Sequence, residues 1–154
     1  MNGVGEGRFA PGANLSRAML AQIIYNMEDN PAAGAENIFS DVPSDSWYAP
    51  AVAWAAAGEI VTGYADGTFA PLNDITREQL ATMLYRYAGS PETEGSLSGF
   101  ADASSAGGYA VQALTWAVEN GVMNGVGNDM LSPKGLATRA QAAQMIVRYM
   151  DLEA

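Results

Sequence analysis

The sequence predicts a mainly α fold, built of tandem helix-loop-helix repeats arranged as a pseudo-threefold helical bundle. Three observations carry this. The chain repeats itself at a period of about 60 residues. Each repeat contains apolar residues at helical spacing. Each pair of helical segments is separated by a run of turn-forming residues.

The repeat is read by superposing the chain on itself. Phe39-Ser40-Asp41-Val42 falls on Phe100-Ala101-Asp102-Ala103, and Val52-Ala53-Trp54-Ala55 on Leu114-Thr115-Trp116-Ala117. Gly63 falls on Gly125, Pro71 on Pro133, Thr76-Arg77 on Thr138-Arg139, and Arg86-Tyr87 on Arg148-Tyr149. The N-terminal stretch matches the back half of the same unit. Phe9-Ala10-Pro11 aligns with Phe69-Ala70-Pro71, Ser16-Arg17 with Thr76-Arg77, and Ile23-Ile24-Tyr25 with Met83-Leu84-Tyr85. Met1 to Gly5 recurs identically at Met123 to Gly127. The expected organisation is therefore about two and a half copies: residues 1–30 as the C-terminal half of a first, 36–89 as a second and 97–152 as a third. On this reading Met1 is an internal residue of a longer protein whose first half-repeat is missing.

The first helix of a full copy is expected from Trp47 to Ala57, stopped at Gly58. Its counterpart runs from about Tyr109 to Glu119 and stops at Asn120-Gly121. Between the two helices of a copy, Gly63 to Pro71 contains Asp66-Gly67 and a proline, which forbid helix. The second helix opens with a capping box, Thr76 with Gln79, repeated as Thr138 with Gln141. Ser16 can cap its helix, but Met19 cannot complete the box. After the caps come the apolar sets Leu20, Ile23, Ile24, Met27; Leu80, Met83, Leu84, Tyr87; and Ala142, Met145, Ile146, Tyr149. The stretches 30–34 and 90–99 read as linkers.

Composition narrows the function. With 154 residues and 49% hydrophobic side chains the chain can build a core. It has no cysteine and no histidine, so disulfides, thiolate or imidazole metal sites, cysteine nucleophiles and Ser–His triads are excluded. A net charge of −10 argues against a nucleic-acid or anionic-membrane partner. No apolar run is long enough for membrane insertion, and the first residues lack the features of a signal peptide. If the parent protein is exported, its signal lies outside this chain. No cofactor is expected.

The basic residues carry the most information. There are seven, and Arg17, Arg77 and Arg139 hold the same place in each copy. A cation at a helix start opposes the helix dipole by a few tenths of a kcal/mol up to about 1. An anionic ligand reverses that balance, through the guanidinium fork and the free N–H groups of the helix start. The structural alternative pairs each arginine with an acid such as Asp41 or Asp102. Arg86 and Arg148, near helix C-termini, read as structural. Trp54 and Trp116 read as core, while Trp47, at a helix start, is the better candidate for contact with a ligand. Gly3, Gly63 and Gly125 either permit positive φ in a turn or let a ligand approach the backbone.

The pattern Phe39-x-Asp41-Val42, Trp47-Tyr48, Ala51-Val52, Gly58-x-Ile60-Val61-x-Gly63, Gly67-x-Phe69-x-Pro71, Ile75-Thr76-Arg77 closely resembles the S-layer homology repeat. The resemblance spans essentially the whole chain. It implies a non-catalytic cell-surface anchoring module, located outside the cell at the bacterial cell wall. It also implies that grooves between repeats bind secondary cell wall polysaccharide, commonly pyruvylated on an amino sugar. The implied site residues are Arg17, Arg77 and Arg139, their neighbours Ser16, Thr76 and Thr138, then Asp41, Asp102, Trp47, Gly3, Gly63 and Gly125. The family's Thr-Arg-Ala-Glu motif is altered here. It reads Ser16-Arg17-Ala18-Met19, Thr76-Arg77-Glu78-Gln79 and Thr138-Arg139-Ala140-Gln141, so every copy keeps Arg and loses the final Glu. The third copy also replaces the aromatic at the Trp47 position by Gly107-Gly108, which alters that groove.

Two other classes remain. A glycosidase would draw its carboxylates from Glu59, Asp66, Asp74 and Glu78, but a catalytic pair should be unique rather than spread over repeats. Calcium at Asp41, Asp45 or Asp66 lacks EF-hand spacing. A structural self-association module of a surface-layer protein is the second class. The truncated first repeat should leave an apolar face uncovered, and a homo-oligomer would cover it.

Overall fold

In the computed structural model, residues 10–31 and 34–153 are described. The architecture is mainly helical. Among the described residues five α-helices follow in order: α1 Arg17–Met27, α2 Ala49–Ala57, α3 Arg77–Tyr87, α4 Val111–Glu119 and α5 Arg139–Glu153. Among the described residues extended backbone appears only as isolated antiparallel bridges, such as Ser16 with Asp74 and Thr76 with Leu136.

The helices group into two compact units. One is Leu15–Asp74; the other contains the described residues up to Asn14 together with those from Ile75 onward. In the first, α1 packs on α2. Leu20, Ile24, Val52 and Ala55 are fully enclosed, and Tyr25 meets Trp54 with ring centroids 5.6 Å apart. In the second, α3 packs on α4 and touches α5. Leu80, Leu84 and Leu114 are fully enclosed there. Trp116 joins Tyr85 at 5.7 Å and Tyr149 at 6.2 Å. Each enclosed leucine contributes roughly 1.5–3 kcal/mol, so these pairs of short helices are held by packing rather than by intrinsic helicity.

The expected caps form. Ser16 accepts from Met19 N–H at 3.1 Å. Thr76 and Gln79 exchange both bonds of the box, at 3.2 and 3.0 Å, and Thr138 and Gln141 do so at 3.1 Å each. Some boundaries differ from expectation. α2 begins at Ala49 rather than Trp47, because a helix begun at Trp47 would press the Pro50 ring against the carbonyl of Ser46. Ahead of α4, Gly108–Ala110 winds as a tight 3-10 turn. α5 continues to Glu153, so Arg148 lies inside the helix and away from its C-terminal dipole; Arg86 does sit in the last turn of α3.

The linkers are tied back by a shared device. Tyr25 donates its hydroxyl to Pro31 O at 2.6 Å, and Tyr85 donates to Pro91 O at 2.9 Å. The loop glycines divide into two kinds. Gly63 has φ +69°, and a Cβ there would lie 2.3 Å from Phe39 Cε1. Gly67 has φ +85° with open space around it. Gly63→Ala is therefore expected to destabilise the fold by more than Gly67→Ala, whose cost is about 1–2 kcal/mol. Urea denaturation of the two variants checks the order.

Candidate functional site

The three capped helices begin in the same way. Their first two N–H groups donate to backbone carbonyls of a loop distant in sequence. Arg17 N–H meets Asn73 O at 2.9 Å and Ala18 N–H meets Pro71 O at 2.8 Å. Arg77 N–H meets Gly135 O at 2.8 Å and Glu78 N–H meets Pro133 O at 2.9 Å. Arg139 N–H meets Ala13 O at 2.8 Å and Ala140 N–H meets Pro11 O at 3.1 Å. The third N–H of each helix is taken by its cap. This corrects one expectation: the helix-start amides are not free for an anion, because the loops already satisfy them.

That leaves the guanidinium groups as the cationic donors at these junctions. Arg17, Arg77 and Arg139 are 8%, 6% and 4% exposed. Arg17 Nε donates to Phe69 O at 2.9 Å. Its guanidinium carbon lies 5.2 Å from the Tyr64 ring centroid and 4.7 Å from that of Phe69, within cation–π range. Arg77 makes the equivalent bond, Nε to Leu131 O at 3.0 Å, and adds Nη2 to Asn124 O at 2.7 Å. Among the described residues no carboxylate forms an ion pair with Arg77. Burial pulls its pKa below the ordinary arginine value, and the more distant Asp102 charge pushes it back.

Asp41 and Asp102 act on the loops instead. Asp41 accepts from Phe69 N–H and Ala70 N–H, both at 2.8 Å. Asp102 accepts from Leu131 N–H and Ser132 N–H, also at 2.8 Å. Each carboxylate thus staples the loop whose first clamped residue, Phe69 or Leu131, offers its carbonyl to an arginine. Arginine, loop and aspartate form one chain of contacts in each unit. The Leu131 N–H bond is the main reason the Asp102 carboxyl lies below the usual range; the Ser132 bond and the Arg77 charge add to it against burial.

The remaining candidates fall as follows. Thr76 and Thr138 are caps with their hydroxyls committed to backbone, and Ser16 is the same. Trp47 is 57% exposed and stands edge-on to Tyr48 at 5.1 Å. Trp116 is buried and Trp54 half-buried, as core residues. Gly63 and Gly125 make room for the Phe39 and Phe100 rings; a Cβ on Gly125 would lie 2.9 Å from Met130 O and 3.0 Å from Phe100 Cε1. Gly3 lies outside the described residues. Asp66 accepts from the Thr68 hydroxyl at 2.6 Å within its own turn. Among the described residues no group of three or more acidic side chains converges as a metal site, and no helix is long and apolar enough to cross a membrane.

Sequence reasoning missed the role of Glu78. Its carboxylate is 2% exposed and accepts from Lys134 Nζ at 2.6 Å, Gly107 N–H at 2.9 Å and the Tyr109 hydroxyl at 3.2 Å. The signal available was its difference from Ala18 and Ala140, together with Lys134 being the chain's single lysine.

Because the folded-state pKa of Asp102 is depressed, its contribution is fully present above the ordinary aspartate value of about 3.9 and is lost as pH falls through the lower folded value. Asp102→Asn is expected to be less stable than the wild type at neutral pH, with the gap narrowing only below about pH 4. Denaturation curves between neutral pH and about pH 2 test this; a gap that stays constant across that range would contradict it.

Comparison with known proteins agrees with the repeat pattern. The S-layer homology domain model matches residues 38–81 and 99–143, more than half of the chain. A surface-layer 125 kDa protein of Lysinibacillus sphaericus is 36% identical over 98% of this chain. An amylopullulanase of Thermoanaerobacterium thermosulfurigenes is 33% identical over 98% of it, and a cellulosome-anchoring protein of Acetivibrio thermocellus 27% over 98%. The chain spans 13%, 8% and 35% of the lengths of these three relatives. A solved structure, an undecaheme cytochrome from the S-layer of Carboxydothermus ferrireducens, matches over 90% of this chain and 22% of its own, at 19% identity and a TM-score of 0.47. That likeness is too distant to add to the argument. With its repeat pattern, its arginine-led helices and the family match in agreement, the chain belongs to the S-layer homology family, the non-catalytic anchoring modules of the bacterial cell surface.

Proposed function

We propose that the chain anchors its parent protein by binding an anionic secondary cell wall polysaccharide, with a pyruvate ketal carboxylate received by the arginines at the starts of α1, α3 and α5. The observation that carries this reading is Arg77. It is a cation 6% exposed, with its charge disfavoured by burial and with no ion-pair partner among the described residues. Burying a charge without a counter-charge is costly. A carboxylate brought by a ligand supplies the missing partner and can engage the guanidinium in bidentate fashion. The Nε bond to Leu131 O and the Nη2 bond to Asn124 O fix the guanidinium plane in advance, so little side-chain entropy remains to be lost on binding. The guanidinium has further N–H donors beyond these two.

The amylopullulanase and the cellulosome-anchoring protein each contain a segment similar to this chain, while their names state different roles. That distribution suits a module whose task is attachment rather than chemistry. Trp47, 57% exposed, suits the apolar face of a sugar ring.

The test is sedimentation with purified cell wall sacculi. The chain is expected to pellet with intact sacculi and to stay in solution with sacculi stripped of their secondary polymer. The triple variant Arg17→Gln, Arg77→Gln, Arg139→Gln is expected to lose at least about tenfold in affinity, the loss of roughly 1.4 kcal/mol, while its circular dichroism remains helical. A folded triple variant that still pellets would remove the arginines from the binding account.

A further inference from the structure

The three capped helices are equivalent in sequence, yet two are covered on a face that the third leaves bare. In α1 that face is Ala18, Ala21 and Tyr25, all buried, with Tyr25 against Trp54 of α2. In α3 it is Glu78, Ala81 and Tyr85, also buried, with Tyr85 against Trp116 of α4. The matching residues of α5 are Ala140, Ala143 and Val147. Ala140 is exposed, Ala143 is half-buried and Val147 is 55% exposed. Met150, 51% exposed, continues the row. These four residues alternate three and four apart, the spacing of a seam along which one helix packs on another.

Charge and size together say what fits there. The chain carries a net charge of −10, but this row has no charged residue, and the neutral Gln144 lies beside it. The buried centre of a protein interface is depleted of charge in the same way. The row is also graded, with the small Ala140 and Ala143 in the first half of the helix and the larger Val147 and Met150 in the second. Asp151 and Glu153 lie in the last turn, at the negative end of their own helix dipole, and Arg139 stands at the positive end. An antiparallel copy of the same helix complements all of this. It sets Met150 against Ala140 and Val147 against Ala143, and it brings the acidic turn to the positive end of its neighbour. A parallel copy would oppose large to large and acid to acid.

We infer that this face of α5 is an interface for a second copy of the chain, with two α5 helices antiparallel about a two-fold axis near Gln144. A helix of 15 residues is about 22 Å long. A contact of that length is small beside a standard interface, so the dimer is weak, with a Kd of about 10 µM to 1 mM. Chains anchored side by side on one surface meet at high local concentration, where such a contact links neighbours. The inference needs no sugar and stands apart from the polysaccharide reading.

Sedimentation equilibrium of the chain at concentrations up to about 1 mM tests it, with a reversible monomer–dimer equilibrium expected. Val147→Glu with Met150→Glu places like charges in the seam and is expected to weaken the dimer at least about tenfold. Both sites are exposed, and circular dichroism checks that the variant keeps its helices. Because the chain has no cysteine, introduced thiols report the geometry. An oxidised mixture of Ala140→Cys and Met150→Cys chains is expected to give mainly the mixed disulfide, and this decides the matter if the glutamate variant does not fold. A chain that stays monomeric throughout leaves the face to some other occupant and overturns the inference. So does a dimer that the glutamates leave unchanged, or crosslinking of like with like in preference to the mixed pair.

Discussion

The structure depends on how each capped helix is closed at its start. Four N–H groups at a helix N-terminus lack partners within the helix. Here the first two donate to loop carbonyls far along the chain, at 2.8 to 3.1 Å, and the third to the cap. The same helix start sends an arginine into the same loop, where Nε takes a further carbonyl. A short helix, which alone would be marginal, thereby becomes the fixed edge of a loop. The loop in turn is stapled by Asp41 or Asp102 through two backbone N–H groups. Capping, loop shape and the placing of the cation are one set of contacts.

On the proposed function, this closure leaves the anion chemistry to the guanidinium groups. A helix start usually offers its amides to an anion. With those amides committed to carbonyls, the guanidinium is left as the group whose charge lacks a close counterpart in the case of Arg77. An arginine that is structural in its Nε bond is therefore also suited to ligand recognition through its remaining donors. The two roles are compatible because a guanidinium presents several N–H groups in one rigid plane.

Much of this was legible in the sequence, for physical reasons. Thr76 with Gln79 and Thr138 with Gln141 specify helix starts by local hydrogen bonding, and these starts formed where expected. Leu20, Ile24, Leu80 and Leu84 announce a buried face by spacing. The structural alternative of an ion pair between Arg77 and Asp102 is not realised, since Asp102 holds the loop amides of Leu131 and Ser132, a choice that depends on three-dimensional approach. The capture of Arg77 and Glu78 N–H by Gly135 and Pro133 links positions more than fifty residues apart, and no periodicity encodes it. Gly63 and Gly125 look alike as turn glycines. A positive φ is found at Gly63, while Gly125 is required by the nearness of Phe100 and Met130 O. Glu78 was visible only as a break in the repeat, and its partners Gly107, Tyr109 and Lys134 became apparent through the fold.

The most direct measurement of the central claim is a crystal structure of the chain soaked with a pyruvylated amino sugar. The account predicts the ketal carboxylate within about 3 Å of guanidinium nitrogens at a helix start, with the loop carbonyls still holding the amides of residues 17, 18, 77 and 78. A carboxylate seated on those amides, or bound away from every arginine-led helix, would contradict it.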